Sequence, residues 1–544
     1  MGSLRIGERQ IIQLPDGCRP VGLLWLLERY ALDVPVPGLV SCSAAGSERH
    51  VVPLNGRDFR LIRADERPED TLEGHLLHAL RNEPLNLLAL DRLFAATGPA
   101  PIEAIVAAGP TGPLRRRLWF FYEWLREDRL GLEDAQGNYV PAVAPEEFFT
   151  VQGRNSRRHR VVDNLPGVRG FCPMIRRTPV LEAFIAEDLG ARARTMMGAL
   201  SPMTVARAVN YLYSKESRTS FAIEGERPVE AKLQAFARLL RHSGQAGLDA
   251  ISLTNLQNMT VDARFKEDWF RQEAQVYVGD NMDIVYLIGA KPADLPGLMS
   301  AWAGGVGRLM QEGADPILAA ATASFGFVNI HPFEDGNGRI SRFMIHHVLK
   351  RMKYGPEDGI FPVSAPIYRQ MPAYHAALDS WSRPMMEMTD YQLDPDGIMT
   401  VTSDTRAYYS YYDATKFAEF IYGCVKQTVD LDLPWQIDFI RRYDQAAEAV
   451  EAIVTLPDAA ARMAIRGVVQ EGRLSKNLRK KDPLSRLRGD ECDRIEAAIQ
   501  AAFAGYQDLE TRIAAQQAGG AVPPSSKDVR SGPAEEEDDT SPEP

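Results

Sequence analysis

Apolar positions along this 544-residue chain recur mostly at spacings of three and four, the period that buries one face of an α-helix. The pattern predicts helices over 22–32 (GLLWLLERYAL), 71–97, 114–127 (LRRRLWFFYEWLRE), 203–224, 297–312, 315–330, 339–353 and 414–428. Alternation stands out at one place, AQVYVG (274–279) followed across Asp280-Asn281 by DIVYLIG (283–289), which reads as a β-hairpin. Pro- and Gly-rich breaks at 98–113 and 164–173 put a domain boundary near residue 165. From 516 onward large apolar residues all but vanish, so 516–544 reads as a disordered acidic tail. There is no internal repeat. The fold class is mainly α with a small hairpin.

Composition narrows the classes. Hydrophobic residues make up 45% and charged residues 25%, ordinary values for a globular chain that buries sizeable cores. The net charge is −11, but seven acids against Lys527 and Arg530 after residue 518 account for close to half of it. A globally basic nucleic-acid binder is disfavoured, while a local basic patch is not. No window approaches eighteen consecutive apolar residues, so no transmembrane helix is expected. The start, MGSLRIGERQ, lacks an apolar signal-peptide core, and Ile6 stands where a myristoylation signal wants Ser or Thr. Five scattered cysteines without a CxxC pair argue for a reducing cytoplasm and against a disulfide framework or zinc site.

One segment concentrates chemistry: His331-Pro332-Phe333-Glu334-Asp335-Gly336-Asn337-Gly338-Arg339-Ile340-Ser341-Arg342, between two predicted helices. Gly336 and Gly338 permit positive φ and leave the main chain unshielded. Successive amides in such a turn make an anion cradle, and it opens onto a helix N-terminus whose dipole favours phosphate. Arg339 and Arg342, three apart on the first turns of that helix, can face the same anion. Asp335 is one hard carboxylate beside the cradle, suited to Mg²⁺ whose other ligands are phosphates and water. His331 can accept a proton near neutral pH. A lone histidine or a lone GNG is usually structural. Eight fixed identities together have a chance frequency on the order of one in ten billion per start position.

HPFEDGNGRISR resembles the signature H-x-F-x-[DE]-G-N-G-R-x-x-R of the Fic-domain proteins at every specified position. The hairpin 274–289, with RQEAQVYVG at its entry and LPGLM (295–299) after it, is similar to the family's flap and following helix. The resemblance covers roughly 185–390 and implies a Fic-type helical bundle core that transfers AMP from ATP to a protein hydroxyl. It implies that His331 is the base, that Asp335 holds Mg²⁺, and that Gly336, Asn337 and Gly338 line an anion hole. Arg339 and Arg342 would meet the β- and γ-phosphates, and Phe333 would anchor the loop in the core. Glycine at 338, where Doc-type kinases carry a bulkier residue, favours AMP transfer over phosphate transfer.

Family members are often restrained by a helix bearing [ST]-x-x-x-E-[GN]. Among the Glu residues followed by Gly or Asn (Glu73, Glu224, Glu312, Glu471), only Glu224 has Ser or Thr four residues earlier. Ser220, Glu224 and Gly225 therefore make the expected inhibitory motif, with Glu224 pairing to Arg342; the bland reading is a solvated helix end. The hairpin edge could align a target by strand addition, or be a plain hairpin.

Other features divide between two readings. Residues 473–488 (RLSKNLRKKDPLSRLR) hold seven basic side chains, which fit a winged-helix module touching DNA or, by preference, a solvated linker. Tyr408, Tyr409, Tyr411 and Tyr412 fit a purine stack or AMP acceptors, and more simply a packing stripe. The short basic cluster Arg157, Arg158, His159 and Arg160 has no assigned role.

The expected organisation is a mostly helical accessory domain (1–165), a Fic domain (166–400) and a helical, winged-helix-like domain (401–515) before the tail. Within the Fic domain lie the inhibitory helix (about 203–225), the flap (274–289) and the catalytic loop (331–342). The expected protein is cytoplasmic, an adenylyltransferase using ATP and Mg²⁺ on a protein target, with no membrane partner and a homodimer left open. The alternatives are AMP removal or transfer of another phosphate-bearing group at the same site, and a nucleotide-sensing DNA-binding regulator.

Overall fold

The computed structural model describes residues 2–44, 50–279, 284–356 and 359–518. The chain forms two compact units, one of Met1–Glu187, Glu216–Tyr354 and Ile367–Gly423, the other of Asp188–Lys215, Gly355–Pro366 and Cys424–Pro544. Helices dominate both, as the periodicity predicts.

The first unit begins with strands the helical reading did not anticipate. Gly2–Ile6 pairs antiparallel with Gln10–Leu14. A four-stranded sheet follows in the order Arg19–Val21, Leu39–Ala44, Arg57–Arg63, His50–Leu54, its two central strands parallel. Their alternation is real, with Leu4, Ile6, Ile12 and Leu14 buried and their neighbours outward, but each run is only five residues long. Periodicity over so short a span is easily outweighed by the long helical stripes beside it. Helices Leu72–Asn82, Leu87–Thr97, Pro99–Ala107 and Pro113–Arg126 then close over a core containing Phe59, Leu76, Phe94, Trp119 and Phe121.

The expected boundary at 165 is not where the fold divides. The core of the N-terminal region continues through Cys172 and Met174 to Met388, Tyr408 and Tyr411. The Pro/Gly-rich stretch is an extended connector whose amides are taken up elsewhere, Cys172 N–H by Ser410 O at 2.8 Å and Met174 N–H by Tyr412 O at 2.8 Å. All four tyrosines of 408–412 are buried, Tyr409 donating to Ile288 O at 2.8 Å, which supports the packing stripe. Arg158 and His159 both converge on Glu123, so half of the unassigned basic cluster is an internal ion-pair centre beneath Trp119.

The helices that carry the site belong to this unit. Pro316–Ile330 is buried along its whole face from Ile317 onward, and Trp302 from Leu295–Gln311 donates to Ala323 O at 3.0 Å across it. Asp315 caps its first turn, and Pro316 occupies the position where a missing N–H costs nothing. After the loop, Asn337–Arg351 packs beside it, also buried almost throughout. Tyr277–Gly279 and Val285–Ile288 pair as the antiparallel hairpin expected there. The hairpin rests on a second one, Tyr391–Leu393 with Met399–Val401, through Val285, Ile288 and Met399.

In the second unit, Leu433–Glu451, Asp458–Glu471 and Gly489–Ala502 enclose Phe439, Val450, Ile465, Val468, Ile495 and Ile499. No strand forms among the described residues of 424–518, so the winged-helix expectation has no wing. The basic stretch 473–488 is two short 3₁₀ turns, Leu478–Lys480 and Leu484–Arg486. Arg479 pairs with Asp493 and Glu496, and Arg486 with Asp482, which spends much of its charge locally. The tail lies outside the described residues, apart from 516–518 at the end of the Leu509–Ala518 helix.

Candidate active site

The loop begins at His331, which terminates Pro316–Ile330 with φ 56°, in the left-handed region that few residues other than glycine enter. Its ring Nδ1 lies 2.9 Å from Val328 O. A carbonyl only accepts, so Nδ1 must carry the proton and Nε2 keeps its lone pair. Burial pushes the imidazole down to about 4, aided by the Arg271 charge, so the ring is neutral at physiological pH.

The turn that follows is braced from within. Asn337 Nδ2 donates to Phe333 O at 2.8 Å and its Oδ1 accepts from Phe333 N–H at 3.1 Å. The asparagine side chain is therefore spent on loop shape, and only its backbone remains for an anion hole. Phe333 is fully buried against Phe270 and Phe327, as the anchor expectation requires. Gly336 has φ 90°, and a β-carbon there would stand 2.9 Å from Val261 Cγ1. Position 336 thus demands glycine twice over.

Both arginines are almost wholly buried, at 2% and 1% exposure for Arg339 and Arg342. Arg342 Nη2 lies 2.8 Å from Glu224 Oε1, its Nε donates to Ser220 Oγ at 2.9 Å, and Nη2 also donates to Ser220 O at 2.7 Å. The expected pairing of Glu224 with Arg342 is present in the geometry. Gly225, at φ 72°, ends the Pro202–Ile223 helix and turns the chain so that a second carboxylate follows the first. That carboxylate is Glu226, whose Oε1 lies 2.9 Å from Arg339 Nη1. Arg339 also meets Asp335 Oδ1 at 2.6 Å and donates to Thr260 O at 3.0 Å. Gly338 makes this arrangement possible: a β-carbon there would overlap Glu224 Oε1.

The loop amides already hold carboxylates. Glu334 N–H donates to Glu267 Oε1 at 2.8 Å, and Gly336 N–H donates to Asp335 Oδ1 at 2.5 Å. Burial and the neighbouring Glu334 push Glu267 up to about 7. Among the described residues no group of three or more His, Cys, Asp or Glu forms a metal cage. A lone carboxylate is the donor set expected when Mg²⁺ is shared with phosphates, and Asp335, two-fifths exposed, is placed for it.

Sequence reasoning brought His331, Asp335, Arg339, Arg342, Ser220 and Glu224 to one site, where the structure also places them. It missed Glu226, Glu267 and Arg271. Glu226 was legible as a second acid directly after the motif, two residues past Glu224, and Arg271 stood unassigned in RQEAQVYVG; nothing in the spacing marked Glu267.

Residues 252–349 match the Fic/DOC family, a span that includes the whole loop and hairpin. The chain thus carries a Fic domain. It is similar to proteins named "Protein adenylyltransferase Fic" from Drosophila melanogaster, at 28% identity over 204 residues (36% of this chain and 33% of that protein), and from Culex quinquefasciatus, at 39% over 85 residues (16% of each). The chain spans about a third of the length of the Drosophila relatives it matches. A Fic family protein from Desulfovibrio desulfuricans G20 has a solved structure that aligns at 18% identity and a TM-score of 0.35, covering 64% of this chain and 92% of that one. Among the described residues no helix is long and apolar enough to cross a membrane.

Proposed function

We propose that this protein transfers AMP from Mg-ATP to a Ser, Thr or Tyr hydroxyl of a protein target and is held inactive by its own glutamates. The observation that carries the reading is the pairing of His331 Nδ1 with Val328 O, which leaves a neutral Nε2 lone pair at the mouth of a loop flanked by two buried guanidinium groups.

In the reaction, Nε2 takes the proton from the target hydroxyl while its oxygen attacks the α-phosphorus, and the bond to the pyrophosphate oxygen breaks. The loop amides at 334–338 and the start of the Asn337–Arg351 helix receive phosphate oxygens. The carboxylate of Glu267, accepting from the Glu334 amide, occupies the kind of place that a phosphate oxygen would. Arg339 and Arg342 hold the remaining negative charge, so positioning and electrostatics supply most of the rate. Asp335 would hold Mg²⁺, whose charge on the phosphates eases departure of pyrophosphate.

The same geometry supports autoinhibition. With Glu224 on Arg342 and Glu226 on Arg339, both guanidinium groups are neutralised, and ATP must displace two carboxylates to use them. Glu224 also faces the site closely enough to position a water for removing AMP from a target. Incubating Glu224→Gly protein with lysate and ATP labelled at the α- or γ-phosphate separates the readings. Label carried only from the α position supports AMP transfer; transfer only from γ would make the chain a kinase. Loss of AMP from a premodified target in wild type but not in Glu224→Gly would favour the removal reading.

A further inference from the structure

Three successive carbonyls of the catalytic loop, Ile330, His331 and Pro332, have left the helix and need donors. All three are satisfied from the two ends of the flap hairpin. Ala290 N–H donates to Ile330 O at 3.0 Å, and Arg271 N–H donates to Pro332 O at 3.0 Å. The middle one, His331 O, is taken by a side chain: Arg271 Nε donates to it at 2.9 Å. The rest of that guanidinium clamps the hairpin, Nη1 donating to Ala274 O at 2.8 Å at its entry and Nη2 to Ala290 O at its exit. Arg271 is 4% exposed, and burial pushes it down to about 10, so it stays charged at neutral pH. The backbone at Gly289 lies directly on both partners; a β-carbon there would stand 3.0 Å from Arg271 Nη2 and 3.1 Å from His331 Cβ. The residue before Arg271, Phe270, places its ring 5.6 Å from that of Phe333.

A buried guanidinium whose hydrogen bonds go to carbonyls is expensive to keep unless its geometry is needed. We propose that Arg271 is a positioning residue that ties the flap hairpin to His331, fixing the base relative to the hydroxyl that a target presents along the hairpin. This rests on the AMP-transfer reading. The hairpin aligns the target backbone, the guanidinium sets the hairpin against the His331 carbonyl, and the left-handed His331 conformation then aims Nε2. Its charge has a second effect: it disfavours a protonated ring against the opposing pull of Glu224 and Asp335, the acids that face the imidazole.

Arg271→Lys keeps the charge but cannot bridge three carbonyls, and Arg271→Met removes both. In full-length protein on a Glu224→Gly background, ATP affinity by calorimetry should stay within about twofold of the parent in both variants. The kcat for AMP transfer should fall at least about tenfold in Arg271→Lys, because a base displaced by an ångström loses that much or more. The His331 ring, followed by NMR with labelled histidine, should titrate higher in Arg271→Met and near the parent value in Arg271→Lys. Parent-like kcat in Arg271→Lys, or ATP affinity falling in step with kcat, would overturn the proposal. If the parent transfers no AMP, the functional reading fails, and an unmoved His331 titration in Arg271→Met then removes the coupling as well. Should Arg271→Met not fold, the kcat and affinity of Arg271→Lys decide.

Discussion

Glu226 stands 2.9 Å from Arg339 two residues after Glu224 stands 2.8 Å from Arg342, so one chain reversal at Gly225 covers both guanidinium groups of the loop helix. Glu224→Gly alone should therefore release only part of the restraint. AMP transfer should rise several-fold in Glu224→Gly, short of the roughly tenfold ceiling set by an open arrangement populated about a tenth of the time. It should rise again in Glu224→Gly/Glu226→Gln, with ATP affinity by calorimetry moving in the same direction. A double variant no more active than the single one would show that Glu226 takes no part.

His331→Ala should abolish transfer, a loss of at least about a hundredfold for a missing general base, while ATP affinity is retained. With the wild-type ring pushed down to about 4 from an ordinary 6.5, its basic form dominates throughout the neutral range. Rates measured from pH 8 to about pH 6 should show no acid limb from this histidine.

His347 offers a stability readout away from the chemistry. It is 1% exposed, accepts from Gly244 N–H through Nδ1 at 3.2 Å, and burial pushes it down to about 4. Between about 4 and 6.5 the unfolded chain binds the proton that the folded ring refuses, so its contribution to stability is lost as pH falls through that window. The loss should amount to roughly 2–3 kcal/mol. His347→Asn, whose amide oxygen can accept from Gly244, should lack this slope in denaturant titrations at pH 7 and pH 5.

Gly338→Ala is a test of the contact with Glu224. In an open helix alanine would stabilise by about 1 kcal/mol over glycine. Here the methyl group would overlap the Glu224 carboxylate, so thermal unfolding should fall in the wild-type background. In Glu224→Gly the same change should be neutral or stabilising, the sign reversal that a double-mutant cycle detects.

Asn337→Ala should cost about 1–3 kcal/mol, because two buried backbone groups of Phe333 lose their partners together. Urea unfolding measures the cost, and transfer should fall with it.

The sequence by itself determined the loop chemistry and the helices around it. Twelve contiguous residues carried base, carboxylate, glycines and arginines, and contiguity needs no fold to be read. The long helices were equally legible, because a stripe of apolar residues sustained over three or four turns has one physical meaning. Even Ser220 and Glu224 were visible, through their resemblance to the family's inhibitory motif. Tertiary structure alone decided the rest. The N-terminal strands are too short for their alternation to outweigh the helical stripes, and they are fixed by pairing between segments such as Leu39–Ala44 and Arg57–Arg63. The connector at 164–173 reads as a linker, yet its amides are claimed by residues some 240 positions later. Glu226, Glu267 and Arg271 reach the catalytic loop through partners 60 or more residues away, and no local spacing encodes such distances. What decided their roles was burial: inside the fold, each charge or carbonyl must find its partner wherever the chain happens to bring one.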